Sequence, residues 1–480
     1  MNKTYLISQS TSLTLLIIIS LIFAILGIYN SKKFRGINNY LTANRNIGFF
    51  SLTTSLVASA LGAWILFGPA AAASWGGIGA VIGYALGTAF PMIFLIYLGK
   101  KIRNEFPNGS SLIEFMRKKF GKSLFKLILL MTIFYMFIFL CAEVTAVAVL
   151  INYISGTELW ITALIVLLAT LTYTLYGGLR ASIFTDNIQM VVIAVLLIIS
   201  VSYITSFTGN EFSFEFIEKN NPQLLSASYV PSYTAGLTFF IAVAATNLFH
   251  QGNWQRVYAA KNYETLKKSL IISFLIIVPV VFFMGFTGMV SFSIDSTNRP
   301  DLAFFSLLLK EQTEFLSLLI IVLGLALTIS TVDTLVNAIS SLFVVDGKAT
   351  FNFGKKTDYL KLSKYFIIFL SLIAFIIASR GFDILYLFLL ADLFCCAFVF
   401  TVFYSFYNKD INEKTAYISI LIGLIGGFLM FPFPDFSKSL LVGVLLPIEI
   451  FKPFILQSLL FLSFIIATFL PMVILKIIKV

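Results

Sequence analysis

Thirteen apolar runs, most about twenty residues long, follow one another along this chain. They lie at 11–29, 50–72, 77–99, 125–153, 159–175, 187–208, 230–251, 267–292, 316–343, 363–380, 384–407, 414–431 and 453–475. A hydrocarbon layer about 30 Å thick is crossed by roughly 20 residues of helix, and inside lipid each backbone amide must find its partner within the helix itself. The pattern therefore predicts an all-α polytopic membrane protein of about 13 transmembrane helices. Of the 480 residues, 59% are hydrophobic and 11% charged, against roughly 25% charged in a soluble domain. That balance excludes a soluble enzyme, a secreted disulfide scaffold and a disordered chain. The first run is preceded only by Lys3 and followed by a basic loop, so it reads as a span, not a cleaved leader. With loops of about 25 residues at most, no kinase, nucleotide-binding or receptor domain is expected.

In a soluble protein a net charge of +11 would suggest nucleic acid; here its distribution sets orientation instead. With the N-terminus outside, the loops after the first, third and ninth runs face the cytoplasm. They carry Lys32, Lys33, Arg35 and Arg45; Lys100, Lys101, Arg103, Arg117, Lys118, Lys119 and Lys122; and Lys348, Lys355, Lys356, Lys361 and Lys364. In all, 26 of the 33 Lys and Arg fall on that side, as the positive-inside rule requires. The outer segments carry Glu211, Glu215, Glu218, Asp295, Asp301, Glu311 and Glu314. The expectation is N-terminus out, C-terminus in, in the cell (plasma or inner) membrane, with the lipid bilayer as surroundings, no nucleic-acid partner and no obligatory protein partner. The three cysteines, Cys141, Cys395 and Cys396, sit in apolar runs, and the one histidine is His250. These counts leave no disulfide framework or His-based metal site, and no nucleophile–base set is visible.

Polar residues inside the apolar runs mark candidate sites. The second run holds Ala58, Ser59, Ala60, Gly62 and Ala63, then Gly68 and Pro69. Two readings stay open: close helix packing through small side chains, or an unwound helix whose freed carbonyls take a cation. The seventh run carries Thr246, Asn247, His250 and Gln251 before Gly252, which is either a helix end or a second interruption. In the ninth run Ser330, Thr331, Asp333 and Thr334 fall within five residues. Ser330, Asp333 and Thr334 share a face, and their oxygens suit a small hard cation; a hydrogen-bonded packing cluster is the other reading. Glu143 and Asp392 are further mid-span acids with no basic residue deep in a span to meet them. They are hydrogen-bonded neutral groups, proton carriers or anchors for a cationic or amide-bearing solute.

Runs 2–6 and 7–11 are two blocks of five helices. Because five is odd, the second block enters from the opposite side. Interrupted helices at matching places in two halves point to an inverted-repeat secondary transporter with a midplane site. The single transmembrane domain, 1–480, divides into an extra helix (11–29), repeat 1 (50–208), repeat 2 (230–407) and two C-terminal helices (414–475).

The segment YTLYGGLRASIFTDNIQ, from Tyr173 to Gln189, resembles the signature of the sodium:solute symporter family. NNYLTANRNIG at Asn38–Gly48 is similar to an early stretch of that family, with Asn44 in place of the usual Gly. NWQRVYAAKN and ISTVDT resemble two further segments, and the resemblance covers about residues 30–410. It implies a LeuT-like fold and a sodium site between the second and ninth runs. The implied ligands are the carbonyls of Ala58, Leu61 and Leu327 and the hydroxyls of Ser330 and Thr331. A second sodium would map to Asp186, Ser330, Asp333 and Thr334, although Asp186 also suits a release path. The solute would meet Trp64, Phe67, Glu143, Asn247, Gln251 and Asp392.

The sequence thus predicts not an enzyme but a secondary active transporter. It would import a small organic solute with sodium by alternating access, with sodium as the co-transported ion and no organic cofactor. The alternatives are a proton-coupled symporter of urea, amines or polyamines working through Glu143, Asp333 or Asp392, and, further off, a channel or sensor.

Overall fold

The computed structural model describes residues 5–33, 36–296, 299–310, 313–350, 357–408, 410–447 and 459–477. Lys3, Arg35, Glu311, Lys355, Lys356 and the start of the last apolar run (453–458) lie outside the described residues. Its longer helices are α1 (Gln9–Lys33), α2 (Phe49–Ala60), α3 (Gly68–Glu105), α4 (Lys122–Ser155), α5 (Leu159–Thr208), α6 (Val230–Phe249) and α7 (Gln251–Ala259). There follow α8 (Tyr263–Ile294), α9 (Glu314–Leu342), α10 (Tyr359–Ala378), α11 (Ile384–Ser405), α12 (Glu413–Met430) and α13 (Leu459–Ile477). Among the described residues 11 helices are long and apolar enough to cross a membrane.

The apolar runs and these helices differ in two informative places. The second run is cut: α2 stops at Ala60, and its remainder becomes a 3-10 turn, Ala63–Leu66, and the first turns of α3. The fifth and sixth runs, 159–175 and 187–208, are joined in α5, with a sharp break at Gly178 (φ 55°, ψ −150°). That backbone region is open essentially only to glycine. A Cβ on Gly178 would also stand 2.5 Å from the Tyr40 ring and 2.6 Å from its carbonyl oxygen. Gly77 makes the matching break in α3 (φ 54°, ψ −152°).

At the centre stands α9, with 83% of its apolar window buried. It is packed by α2, α4, α5, α7 and α10. In α10 only 22% of the window is buried, and Phe369, Leu372 and Ile376 point outward, as a lipid-facing helix requires. The two five-helix blocks meet where α3 lies against α6. At Gly83 and Gly87 an added Cβ would strike backbone of Gly236 and Phe239, so these backbones touch with no side chain between them. Gly178→Ala should lower stability by about 1–3 kcal/mol through strain alone, with more from the Tyr40 clash. The check is a fall in the melting temperature of purified protein relative to an exposed-face control such as Ile376→Ala.

Candidate functional site

The centre of the molecule is built on two helix interruptions. In the first, Leu61 is the last residue to join the α2 ladder, its N–H reaching Val57 O at 2.9 Å. Gly62 is extended, and the next turn opens when Ile65 N–H reaches Gly62 O at 3.3 Å. Backbone carbonyls between these points leave the regular helical ladder, which settles the second run in favour of an unwound segment. In the second, α6 ends at Phe249, His250 turns out of the helix (ψ 107°), and α7 begins at Gln251. The polar cluster of the seventh run is therefore an interruption too.

Glu143 reaches the first interruption from α4. It is fully buried, and one carboxylate oxygen, Oε2, accepts from the Ala63 N–H at 2.9 Å. Its other oxygen, Oε1, has no hydrogen-bond partner among the described residues and lies against Gly62. From the other side, the Thr331 hydroxyl of α9 comes to the same point, 2.8 Å from where a Gly62 Cβ would be, while donating to Leu327 O at 3.2 Å. Leu61 and Thr331 thus meet at the break, with the Leu327 carbonyl bonded to the Thr331 hydroxyl. Ser330, the residue before Thr331, donates instead to Asp186 Oδ1 at 2.7 Å.

Asp186 of α5 is the hub of a buried charged cluster. Its Oδ2 accepts from Ser55 at 2.5 Å and from the Arg256 guanidinium at 2.7 Å. Arg256, on α7, also donates to Ser55 and Thr334 at 2.7 and 3.0 Å. Both ion-pair side chains have 0% exposure. The sequence places Arg256 in a cytoplasmic loop; the structure buries it completely, because the interruption at His250 turns α7 back into the protein. Asp333 sits beside this cluster but has other partners, accepting from Tyr173 at 2.5 Å, Ser182 at 2.7 Å and Thr185 at 3.1 Å. Of the second-ion set, Asp186, Ser330 and Thr334 are gathered around a guanidinium, and Asp333 is held by hydroxyls.

A small cavity lies between the interruptions, lined by Ser59, Ala60, Trp64, Tyr84, Phe139, Val243, Thr246, Asn247, His250, Phe388 and Asp392. Its free volume is about 20 Å³, room for about one water. Trp64 stacks on Tyr84 with centroids 5.4 Å apart, and Asp392 Oδ1 accepts from Thr246 at 2.6 Å. Trp64, Asn247 and Asp392 are brought together as solute candidates. The other three are not on this wall. Phe67 packs edge-on to Phe305 at 5.2 Å, Glu143 faces the first interruption, and Gln251 donates to the Ser110 carbonyl at 2.9 Å. Sequence reasoning did not single out Arg256, Ser55, Tyr173, Ser182 or Tyr84. For Arg256 a signal was present: an arginine between Trp254 and Tyr258 in a segment that closely follows a suspected helix break.

A family model for the sodium:solute symporter family matches residues 40–423. The spermidine transporter of Candida albicans is 26% identical over 382 residues, covering 78% of this chain and 71% of that protein. Mouse sodium/glucose cotransporter 4 is 23% identical over 474 residues, covering 86% and 67%. Among solved structures, a Na+-coupled sialic acid symporter in a substrate-bound outward-open state aligns with a TM-score of 0.72 at 16% identity, over 96% of this chain and 97% of that one. The fold is therefore LeuT-like and the chain a multi-pass membrane transporter, not an enzyme.

Breaking one side of a buried ion pair costs about 3–5 kcal/mol, whereas replacing both sides with apolar groups costs far less. Arg256→Met should therefore lower stability by about that much, and adding Asp186→Leu should restore at least half of it. Unfolding midpoints of the single and double variants test this.

Proposed function

We propose, for a chain that belongs to the sodium:solute symporter family, sodium-coupled import of a small organic cation. One observation carries the choice of solute. The central cavity has walls of Trp64, Tyr84, Phe139 and Phe388, a carboxylate at Asp392, and no lysine or arginine among its lining residues. Aromatic faces attract cations by about 0.5–2 kcal/mol each, and a carboxylate at membrane depth favours a positively charged partner. A spermidine transporter among the relatives fits this choice.

In this reading sodium enters between the α2–α3 interruption and α9, held by the carbonyls of Ala58, Leu61 and Leu327 and the hydroxyls of Ser330 and Thr331. Bound there, it ties the first block to α9 and favours the conformation open to the outside. A solute then binds at Trp64, Asn247 and Asp392 and closes the outer path. The two five-helix repeats, 50–208 and 230–407, rock against each other around this fixed centre. On the cytoplasmic side, the Arg256–Asp186 pair joins α5 to α7 with Ser55, Ser330 and Thr334 around it. It must separate for release, so Asp186 belongs to the release path, and Asp333 orients it through Thr334. The basic loops favour an N-terminus outside and an inner exit of the cavity at the cytoplasm. Each positive charge carried inward gains about 2.3 kcal/mol per 100 mV, so the membrane potential drives both sodium and a cationic solute.

The test is uptake of labelled diamines and of a neutral sugar into proteoliposomes under imposed gradients. An inward sodium gradient should drive diamine uptake well above sugar uptake. Asp392→Asn should raise the half-saturating diamine concentration at least about tenfold, a loss of about 1.4 kcal/mol. Uptake driven by a pH gradient without sodium would instead select proton coupling, and sugar transport unaffected by Asp392→Asn would remove the cationic solute.

A further inference from the structure

We infer that Glu143 is an ion-binding carboxylate that gives the site at the α2–α3 interruption a full negative charge. This inference rests on the reading above that a cation binds between the interruption and α9, and it adds a ligand that the resemblance does not supply.

Three facts about Glu143 combine. First, it is fully buried in the middle of α4. A carboxylate out of reach of water is costly unless a cation or several donors face it. Second, its two oxygens are treated differently. Oε2 accepts from the Ala63 N–H at 2.9 Å, which fixes the carboxylate against the start of the 3-10 turn. Among the described residues Oε1 has no hydrogen-bond partner. Third, that free oxygen points to where other hard oxygens gather. It crowds Gly62, and Thr331 Oγ1 reaches the same place from α9, 2.8 Å from the position of a Gly62 Cβ. The Leu61 carbonyl precedes that glycine directly. A carboxylate oxygen and a hydroxyl that meet beside a helix break are donors suited to a small hard cation.

The basic side chain within reach of the region is already engaged. Arg256 spends its donors on Asp186, Ser55, Thr334 and Gly252 O. Among the described residues no three His, Cys, Asp or Glu gather around a common metal, so a site of mixed oxygen donors with one charge suits a monovalent ion. Gly62 is then small for a reason. A methyl group there would collide with Glu143 Oε1, sit 2.8 Å from Thr331 Oγ1 and fill the point where the oxygens meet. The Ala63 N–H bond couples the same carboxylate to the backbone that carries Trp64 into the solute cavity. Ion occupancy at Glu143 is thereby linked to the cavity wall through one peptide.

The experiment is a sodium titration of the melting temperature of the full-length protein, with potassium keeping ionic strength constant. Wild-type protein should show a saturable, sodium-specific rise. Glu143→Gln keeps an acceptor for the Ala63 N–H but removes the charge. It should melt cooperatively in potassium and need at least about tenfold more sodium for the half-maximal rise. Gly62→Ala, which fills the meeting point, should lose the sodium-dependent rise. Thr331→Ala serves as the reference for the site itself. If Thr331→Ala raises the sodium midpoint while Glu143→Gln leaves it unchanged, Glu143 is not a ligand and the ion site stands without it. If neither moves it in proteins that still melt cooperatively, the ion site fails as well. A Glu143→Gln protein that shifts only in a diamine titration would assign the carboxylate to the solute and overturn the inference.

Discussion

Backbone left without helical partners must be satisfied inside a bilayer, and the interruption between Ala60 and Gly68 forces that problem onto the centre of the molecule. The fold answers it with α4, whose Glu143 carboxylate accepts from the Ala63 N–H, and with α9, which brings the Thr331 hydroxyl beside Gly62. Much of the architecture serves this arrangement. α9 is enclosed on nearly every side so that Leu327, Ser330 and Thr331 keep their register. α4 is an unbroken helix of 34 residues that carries Glu143 to the break. The glycine contacts of α3 with α6 hold the second interrupted helix beside the first.

The buried charges divide the interior into layers with different chemistry. Glu143 keeps a free oxygen beside the interruption, and Asp392 faces a cavity. Deeper toward the basic loops, Asp186 meets Arg256, and Asp333 is held by four hydroxyls, those of Tyr173, Ser182, Thr185 and Thr334. A transporter needs groups that bind and let go in some layers and groups that hold a closed conformation in others. The Arg256 guanidinium engages Asp186 and Thr334, two of the residues expected to cradle a second sodium.

What the sequence made legible follows from the range of the interactions. Apolar length and basic loops are local properties, so the polytopic fold could be read from the chain, as could Ser330 and Thr331 on one helix. The mid-span acids were visible because a charge in an apolar run stands out. Their partners were not, since these come from other helices. Ala63 and Glu143 are 80 residues apart, Arg256 and Asp186 are 70, and Thr246 and Asp392 are 146. Arg256 was read as a loop charge because a broken helix and a helix end look alike in sequence, and only the tertiary fold turns α7 inward. The same ambiguity hid the split of the second run, where small residues suit packing and unwinding equally. Gln251 and Phe67 lie near the cavity in sequence but face away from it, a matter of helix phase after the breaks.

In the proposed cycle one ion bound at the α2–α3 interruption and one organic cation at Asp392 cross the membrane together. Labelled sodium and labelled diamine fluxes, measured in the same proteoliposomes at fixed voltage, test it most directly. Coupled transport gives a fixed, non-zero sodium-to-diamine ratio, with both fluxes depending on the presence of the other cargo. Diamine uptake with no accompanying sodium flux would contradict it.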